Sequence, residues 1–526
     1  MTTHPSLLAA TGPVESDDGD PALRLEELVR RSARRDPGKE ALRIGSLSVS
    51  YGELMGMAES WAAVLRAAHP ADTPQFIGVL CDRTFTGYTG ILAALCAGAA
   101  VVPLAVDTPP GRLAGLLRDQ PLDALIVDEA GAAKVKNVAA LCPLPPLYAP
   151  ESDPTAVTSG HVVRTIRECQ NETAYVMFTS GSTGRPKGVS VTHASACHFL
   201  TVVCERYGLT ARDVFSQTFS LTFDLAFFDL FAAWSCGGTL VYVHSAALAR
   251  VARVVEREGL TVWFSVPGAI QLARRSGALD PCSMPSLRWS LFCGEPLLAA
   301  DAAAWQRAAS GSTVENLYGP TELTIACTAY RWDPAREEEG AHGIVPIGEL
   351  FPGLESILLA ESDEPATEQG ELCVTGPQMF SGYLDPADDE GRFFYHDGRW
   401  WYRTGDLVRR SSHAGLIFLG RTDLQIKIRG YRIEPAEVEH HLRLLPGVED
   451  VIVLALGEGA ARSLVAFCAG SDLDSARLES QLREELPAYM VPRRYVVLDR
   501  LPVNERGKTD RKALATSFSP SDPARP

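Results

Sequence analysis

The chain has 526 residues, 46% of them hydrophobic, and carries 49 Lys and Arg against 65 Asp and Glu, for a net charge of −16. That length is more than one compact core fills and predicts two or three units, while the acidic balance disfavours a broad nucleic-acid or anionic-membrane surface. Twelve cysteines, spread from Cys81 to Cys468 without a C-x-x-C pair, fit the reduced structural thiols of a cytoplasmic protein better than zinc ligation or a disulfide framework.

Residues 1–22 are polar, with no basic segment leading into an apolar one, and read as a disordered leader and not a signal peptide. The spacing of Leu25, Leu28 and Val29 suits an amphipathic helix, and Ser50 followed by Glu53 is a capping-box pattern opening a helix through Leu65. Phe76 to Leu80, Ala100 to Leu104 and Leu125 to Val127 are strand-like runs separated by helical segments, as in a largely parallel, helix-covered sheet. The apolar stretch Ile91 to Val106 is interrupted by Gly98 and Pro103 and is too short to span a membrane.

The most informative stretch is TAYVMFTSGSTGRPKGVSVTH, Thr173 to His193. An apolar strand feeds a loop in which Gly181, Gly184 and Gly188 permit close approach of a polyphosphate, Thr179, Ser180, Ser182 and Thr183 add hydroxyls, and Lys187 adds a charge. It is not a Walker loop, because Lys187 lies between Pro186 and Gly188 and cannot open a regular helix. A bare SGSTG is more often a flexible linker; the preceding strand and the following Pro-Lys-Gly favour an ordered clamp.

Beyond it a helix is expected from Ser195 to Tyr207 and a strand from Ser216 to Phe223, ending on Asp224. Asp224 sits among Phe223, Leu225, Phe227 and Phe228, which is costly for a carboxylate unless it meets a cation; capping the helix Leu225 to Trp234 explains it equally well. Further strands end at Pro267, at Gly294 and Glu295, and at Gly319, placing polar tips along one sheet edge, where ligands bind in α/β folds. From Ile347 to about Val408 short strands predominate, a small β-rich subdomain whose Asp406 either accepts sugar hydroxyls or fixes a turn. After the charged stretch GRTDLQIKIRGYRIE, Gly420 to Glu434, Pro435 opens a helix and a second, α+β unit follows. Lys508 stands in a polar loop that by itself reads as a solvated basic tail.

Five strings in order, FTSGSTGRPKGV, NLYGPTE (Asn316 to Glu322), YRTGD (Tyr402 to Asp406), GRTDLQIKIRGYRIE and NERGKTDRKAL (Asn504 to Leu514), resemble the adenylate-forming superfamily of acyl-CoA synthetases, luciferases and nonribosomal peptide adenylation domains. The resemblance implies an α/β fold: a large N-terminal domain over residues 23–422, made of helix-covered sheets and the β-rich subdomain, and a small mobile α+β domain over 423–516, with a disordered tail at 517–526. It implies a two-step reaction, in which a carboxylate attacks the α-phosphate of ATP to give an acyl-adenylate and pyrophosphate, and a phosphopantetheine thiol on a partner carrier protein then takes the acyl group. In that scheme Thr179, Ser180, Gly181, Ser182, Thr183, Gly184 and Lys187 grip the outer phosphates, and Thr321 touches the α-phosphate. Glu322 holds Mg2+, Asn316 and Tyr318 face the adenine, Asp406 takes the ribose hydroxyls, and Gly319 and Arg421 are further ATP-binding positions. Lys508 bridges the substrate carboxylate and the developing adenylate, and Asp423 is the hinge about which the C-terminal domain turns to bring Ile426 to Gly430 over the site.

Amino-acid-activating members use an aspartate after phenylalanine to bind the α-ammonium, so Asp224 favours an amino acid. The positions that match their pocket are Asp224, Leu225, Phe228, Phe264, Leu291, Cys293, Leu317, Ile325, Ala326 and Lys508. Apart from the two charges they are apolar or weakly polar, which selects a small apolar side chain by shape. The pattern most resembles free-standing prolyl-carrier-protein ligases of secondary metabolism. D-alanine, cysteine, valine, leucine or isoleucine as substrate, an acyl- or aryl-CoA ligase, and an inactive carrier-binding scaffold are the alternatives. Neither a carrier nor a condensation segment is present, so the carrier is expected on a separate protein, with no nucleic-acid or membrane partner. Ser182 in place of the commoner Thr, and Ala226 in place of Ser, are the modest departures.

Overall fold

The computed structural model describes residues 23–69, 74–153, 155–158, 172–181, 185–341, 343–457, 462–502 and 509–517. The expected leader, the tail beyond Ser517, the loop residues Ser182, Thr183 and Gly184, and Lys508 lie outside the described residues.

Two sheets carry the large domain. The first runs in the order Leu147–Tyr148, Ala124–Val127, Phe76–Leu80, Ala100–Leu104, Thr173–Thr179, Lys187–Thr192; it is parallel except for the final pair, where Thr179 faces Lys187 across an antiparallel hairpin. The second has nine strands, with parallel neighbours from Glu40–Ile44 through Thr239–Tyr242, Val214–Gln217, Val262–Ser265 and Trp289–Phe292 to Thr313–Tyr318, and antiparallel strands at both edges. Helices with almost no polar face, Phe85–Cys96 and Asp224–Cys236, are buried along most of their length in the core that joins the sheets. The capping box expected at Ser50 is formed, with its hydroxyl accepting from Glu53 N–H and the Glu53 carboxylate accepting from Ser50 N–H.

One strand is shorter than the sequence predicts. Val214–Gln217 stops six residues before Phe223, because Thr218 to Thr222 turn on themselves: the Gln217 side chain donates to the Phe219 carbonyl, the Ser220 and Thr222 hydroxyls pair at 3.0 Å, and Phe223 N–H returns to the Ser220 carbonyl. Asp406 is likewise not in a turn; it lies within the long strand Arg399–Ser411 of the β-rich sheet, between Glu371 and Arg421 on flanking strands.

The small domain has the hairpin Ile426–Ile428/Tyr431–Ile433, the helix Pro435–Arg443, a three-stranded sheet and the helix Ser475–Glu485. Ile428, Ile433, Val438 and Leu442 share one apolar cluster with the sheet and the second helix, so hairpin and first helix are packed as one unit with this domain. No described helix is long and apolar enough to cross a membrane.

Candidate functional site

The site lies where strand ends of both large sheets meet the β-rich sheet and the hairpin Ile426–Ile433. One cavity, about 170 Å3, is lined by Thr179, Ser180, Asp224, Leu225, Cys293, Gly319, Thr321, Ile325, Lys427 and Arg432 among others. A second, about 440 Å3, is lined by Asn316, Leu317, Tyr318, Ile347, Phe418, Asp423 and Lys427, and the two share Asp406 and Arg421.

The clamp begins at the end of strand Thr173–Thr179. A Cβ at Gly181 would stand 2.0 Å from the Arg185 carbonyl oxygen, so the loop closes tightly only with glycine there. Ser180 Oγ donates to the Arg432 carbonyl (2.8 Å) and Gly181 N–H to Glu437 Oε2 (3.2 Å). Lys187 is buried, 3.4 Å from Asp388 Oδ1 and 5.3 Å from the Tyr383 ring centre.

Asp224 opens the helix Asp224–Cys236; the N-cap position belongs to Phe223, which makes no side-chain cap. Its carboxylate instead reaches across the chain, where Oδ2 accepts from Ile325 N–H at 3.2 Å. No cation pairs with it among the described residues, and burial pushes its pKa up to about 6 against the pull of the Thr321 hydroxyl. Thr324 and Ile325 both have positive φ, +57° and +72°, a conformation that a β-branched residue adopts only under constraint. Gln378 supplies that constraint: its side-chain amide donates to the Leu323 and Ala326 carbonyls at 3.1 and 2.8 Å, while its backbone carbonyl accepts from Thr324 Oγ1. The sequence signals nothing of this role beyond the position of Gln378 just after the strand Gln369–Thr375.

Behind Asp224 the aromatic wall is self-packed. Phe228 and Phe264 stand with ring centres 4.7 Å apart, and Phe219, which the sequence did not single out, packs at 4.9 Å against Phe264. Leu291 and Ala326 are fully buried nearby in the core, and Cys293 lines the cavity with its thiol pushed up to about 12 by burial. Leu317 faces the second cavity and not the one beside Asp224.

In that second cavity Asn316 Nδ2 donates to the Val345 and Pro346 carbonyls, at 3.3 and 2.9 Å, and so fixes the wall that carries Ile347. A Cβ at Gly319 would meet Ala326 Cα at 2.5 Å. Asp406 accepts from Tyr318 Oη and from Arg421 Nη1, both at 2.5 Å, and Arg421 also holds Asp423 through two hydrogen bonds of 2.7 and 2.9 Å. Lys427 stands 5.9 Å from the Tyr318 ring centre, so the Ile426 to Gly430 segment lies over the site.

Glu322 differs from the expectation of a metal ligand. Fully buried, it receives Arg432 Nη1 at 3.0 and 2.8 Å and Tyr383 Oη at 2.6 Å. Burial would raise its pKa, but the Arg432 guanidinium and the Tyr383 hydroxyl override it and bring the value down to about 2. With both oxygens on a guanidinium, the charge of Glu322 is already compensated in this domain orientation, and the described residues contain no cluster of three acidic, His or Cys side chains fit for a metal. Arg432, Glu437, Tyr383 and Arg112 are the site residues that sequence reasoning missed. The first two lie in or beside GRTDLQIKIRGYRIE, whose charge density was visible but whose partners, 110 and 256 residues away, were not.

The family model for AMP-binding enzyme matches residues 29–384, and that for the AMP-binding enzyme C-terminal domain matches 437–508. Three curated relatives, 31–32% identical, are much longer proteins, of which the chain spans 14%, 8% and 20%. The L-proline--[L-prolyl-carrier protein] ligase of Streptomyces coelicolor is 33% identical over 509 residues, 92% of this chain and 94% of that one. Among solved structures, IdnL7 is 43% identical with a TM-score of 0.70, covering 94% of this chain and 99% of its own. The Vibrio cholerae adenylation domain AlmE, solved with glycyl-adenosine-5'-phosphate, is 30% identical with a TM-score of 0.83, covering 96% and 99%.

Proposed function

The chain belongs to the AMP-binding enzyme family, and from that premise we propose that it is an amino acid--[carrier protein] ligase that activates a small apolar amino acid, L-proline in the first instance, as its adenylate. The observation that carries the amino-acid reading is Asp224: a buried carboxylate with no cation among the described residues, its pKa raised by burial, beside an apolar wall. An α-ammonium supplies the missing charge; a fatty or aryl acid leaves it bare.

In the first step an oxygen of the substrate carboxylate attacks the α-phosphorus of ATP and pyrophosphate leaves from the opposite side. No protein nucleophile is needed, and the protein's task is to position and to compensate charge. Asp224 anchors the ammonium, with Thr321 on the same cavity wall toward the α-phosphate. Ser180 and Gly181 carry the donors for the outer phosphates, and Asn316, Tyr318 and Asp406 hold the nucleoside in the second cavity. Lys508, by its motif, meets the reacting oxygens. In the second step the thiol sulfur of a carrier's phosphopantetheine attacks the acyl carbon, AMP leaves with the bonding pair, and the thiol proton passes to solvent. The orientation described above, with Lys427 and Gly430 lining the cavity, fits this second step, and Asp423, held by Arg421, is the hinge. Mg2+ is expected with ATP in this family; the Glu322 of this orientation, with both oxygens on Arg432, does not accommodate it.

Proline rests on two supports: the apolar residues Leu225, Cys293 and Ile325 that line the cavity beside Asp224, and the likeness to the L-proline--[L-prolyl-carrier protein] ligase of Streptomyces coelicolor. Pyrophosphate exchange into ATP should be measured with L- and D-amino acids and with benzoic and fatty acids. The reading predicts exchange with small apolar amino acids, proline foremost; exchange confined to acids without an amine would refute it.

A further inference from the structure

The segment that follows strand Thr313–Tyr318 is held in two halves by different groups of the stretch just after strand Gln369–Thr375. The first half carries Thr321 and Glu322; there Phe380 N–H donates to the Glu322 carbonyl at 2.9 Å, and Tyr383 Oη donates to the Glu322 carboxylate at 2.6 Å. The second half carries the strain. Ala326 N–H folds back onto the Thr324 carbonyl at 2.8 Å, a three-residue turn centred on Ile325, whose φ of +72° follows one of +57° at Thr324. That turn aims Ile325 N–H at Asp224 Oδ2 and places Ile325 in the cavity wall. Three carbonyls of this half, those of Leu323, Thr324 and Ala326, converge on a single donor: Gln378 Nε2 stands 3.1, 3.4 and 2.8 Å from them. The Gln378 backbone carbonyl closes the arrangement by accepting from Thr324 Oγ1 at 2.8 Å. Gln378 is fully buried, so water does not stand in for its amide, and an enclosed carbonyl without a donor is costly.

We propose that Gln378 is a positioning residue of the amino-acid site: by holding the strained turn at Thr324 and Ile325 it fixes the Asp224 carboxylate for the substrate ammonium, and it leaves the nucleotide side untouched. The inference rests on the amino-acid reading and deepens it by naming the residue that sets its anchor. Gln378 acts through Ile325 and lines neither cavity. The nucleoside side is built separately, since Asn316, Tyr318 and Asp406 line the second cavity from the strands Thr313–Tyr318 and Arg399–Ser411, and Glu322 has its own support in Phe380 and Tyr383. Loosening the turn therefore lets Ile325 N–H leave Asp224 while the elements around the nucleoside keep their bonds.

The test is pyrophosphate exchange into ATP by the full chain, with KM measured for the amino acid that exchanges fastest, L-proline in the first instance, and for ATP. Gln378→Glu keeps the shape of the side chain but turns the donor into an acceptor facing three carbonyls. It is expected to raise the KM for the amino acid about tenfold, the scale of a hydrogen bond lost from a charged group, and to leave the KM for ATP unchanged. Thr324→Val removes only the hydroxyl bond to the Gln378 carbonyl and keeps the branched shape. It is expected to move the same KM in the same direction by a smaller factor, and it carries the test if Gln378→Glu does not fold. General damage to packing raises both Michaelis constants or lowers the active fraction, and so does not separate them. An amino-acid KM equal to that of the wild type in the folded variants, or equal rises for the amino acid and ATP, would overturn the role of Gln378 alone; a wild type without amino-acid-dependent exchange would overturn the amino-acid reading with it.

Discussion

Asp224 and Glu322 are two buried carboxylates of one site with opposite electrostatics. Asp224 accepts from a backbone amide, and burial drives its pKa up to about 6; Glu322 is equally enclosed yet lowered to about 2, because Arg432 and Tyr383 outweigh burial. The difference is the provenance of the counter-charge. Glu322 receives its cation from the chain itself, from the hairpin Ile426–Ile433, whereas Asp224 receives none from the described residues, and the proposed function assigns it to the substrate ammonium. A carboxylate kept at a loss of stability marks a place where binding energy is collected.

Removing the arginine should make the two carboxylates alike. Arg432→Ala is expected to destabilise the fold by about 3 kcal/mol, the usual effect of breaking a buried pair, and Glu322→Gln in the same chain to recover much of it; denaturant midpoints of the single and double variants check this. Asp224→Asn should act in the opposite direction. A carboxyl whose folded pKa lies above its unfolded value stabilises the fold while protonated; that contribution is complete below about pH 3.8 and is lost as pH rises through about 6. At pH 8 the variant is therefore expected to be more stable than the wild type by up to about 3 kcal/mol, at roughly 1.4 kcal/mol per pH unit of displacement, and the gain should vanish near pH 4. Asparagine that proves destabilising at pH 8 would mean the carboxylate already has a partner.

The wall behind Asp224 sharpens the contrast in shape. Phe264→Leu loosens the packing between Phe219 and Phe228, and should move relative kcat/KM toward leucine and away from proline by about tenfold, the scale of one methylene-sized change. The smallest effect is in pH. In the free enzyme, kcat/KM for the amino acid should fall about tenfold per pH unit below the Asp224 value near 6, since only the charged carboxylate attracts the ammonium. A substrate without an amine should show no such limb.

What the sequence made legible was local. The strand before the clamp, the capping box at Ser50, the polar tips of the parallel strands and the small C-terminal unit all follow from patterns a few residues long. The burial of Asp224 among phenylalanines was readable as a tension, but the resolution of that tension was not, since Ile325 N–H comes from 101 residues away and depends on a strained turn held by Gln378. The early end of strand Val214–Gln217 escaped because Phe219 and Phe223 mimic strand alternation while Ser220 and Thr222 fold the backbone through their hydroxyls. Glu322 was expected to hold Mg2+; that Arg432 pairs with it here is a fact of domain orientation, which no short-range pattern encodes.

The most direct test sets L-proline against cyclopentanecarboxylic acid, the same ring without the amine, in pyrophosphate exchange by the wild type and Asp224→Asn. The account predicts that the substitution lowers kcat/KM for proline by about 10²- to 10³-fold, as for a buried charge pair deprived of one partner, while leaving the already poor amine-free acid unchanged or improved. Equal losses on both substrates, or a wild type that uses them equally well, would contradict it.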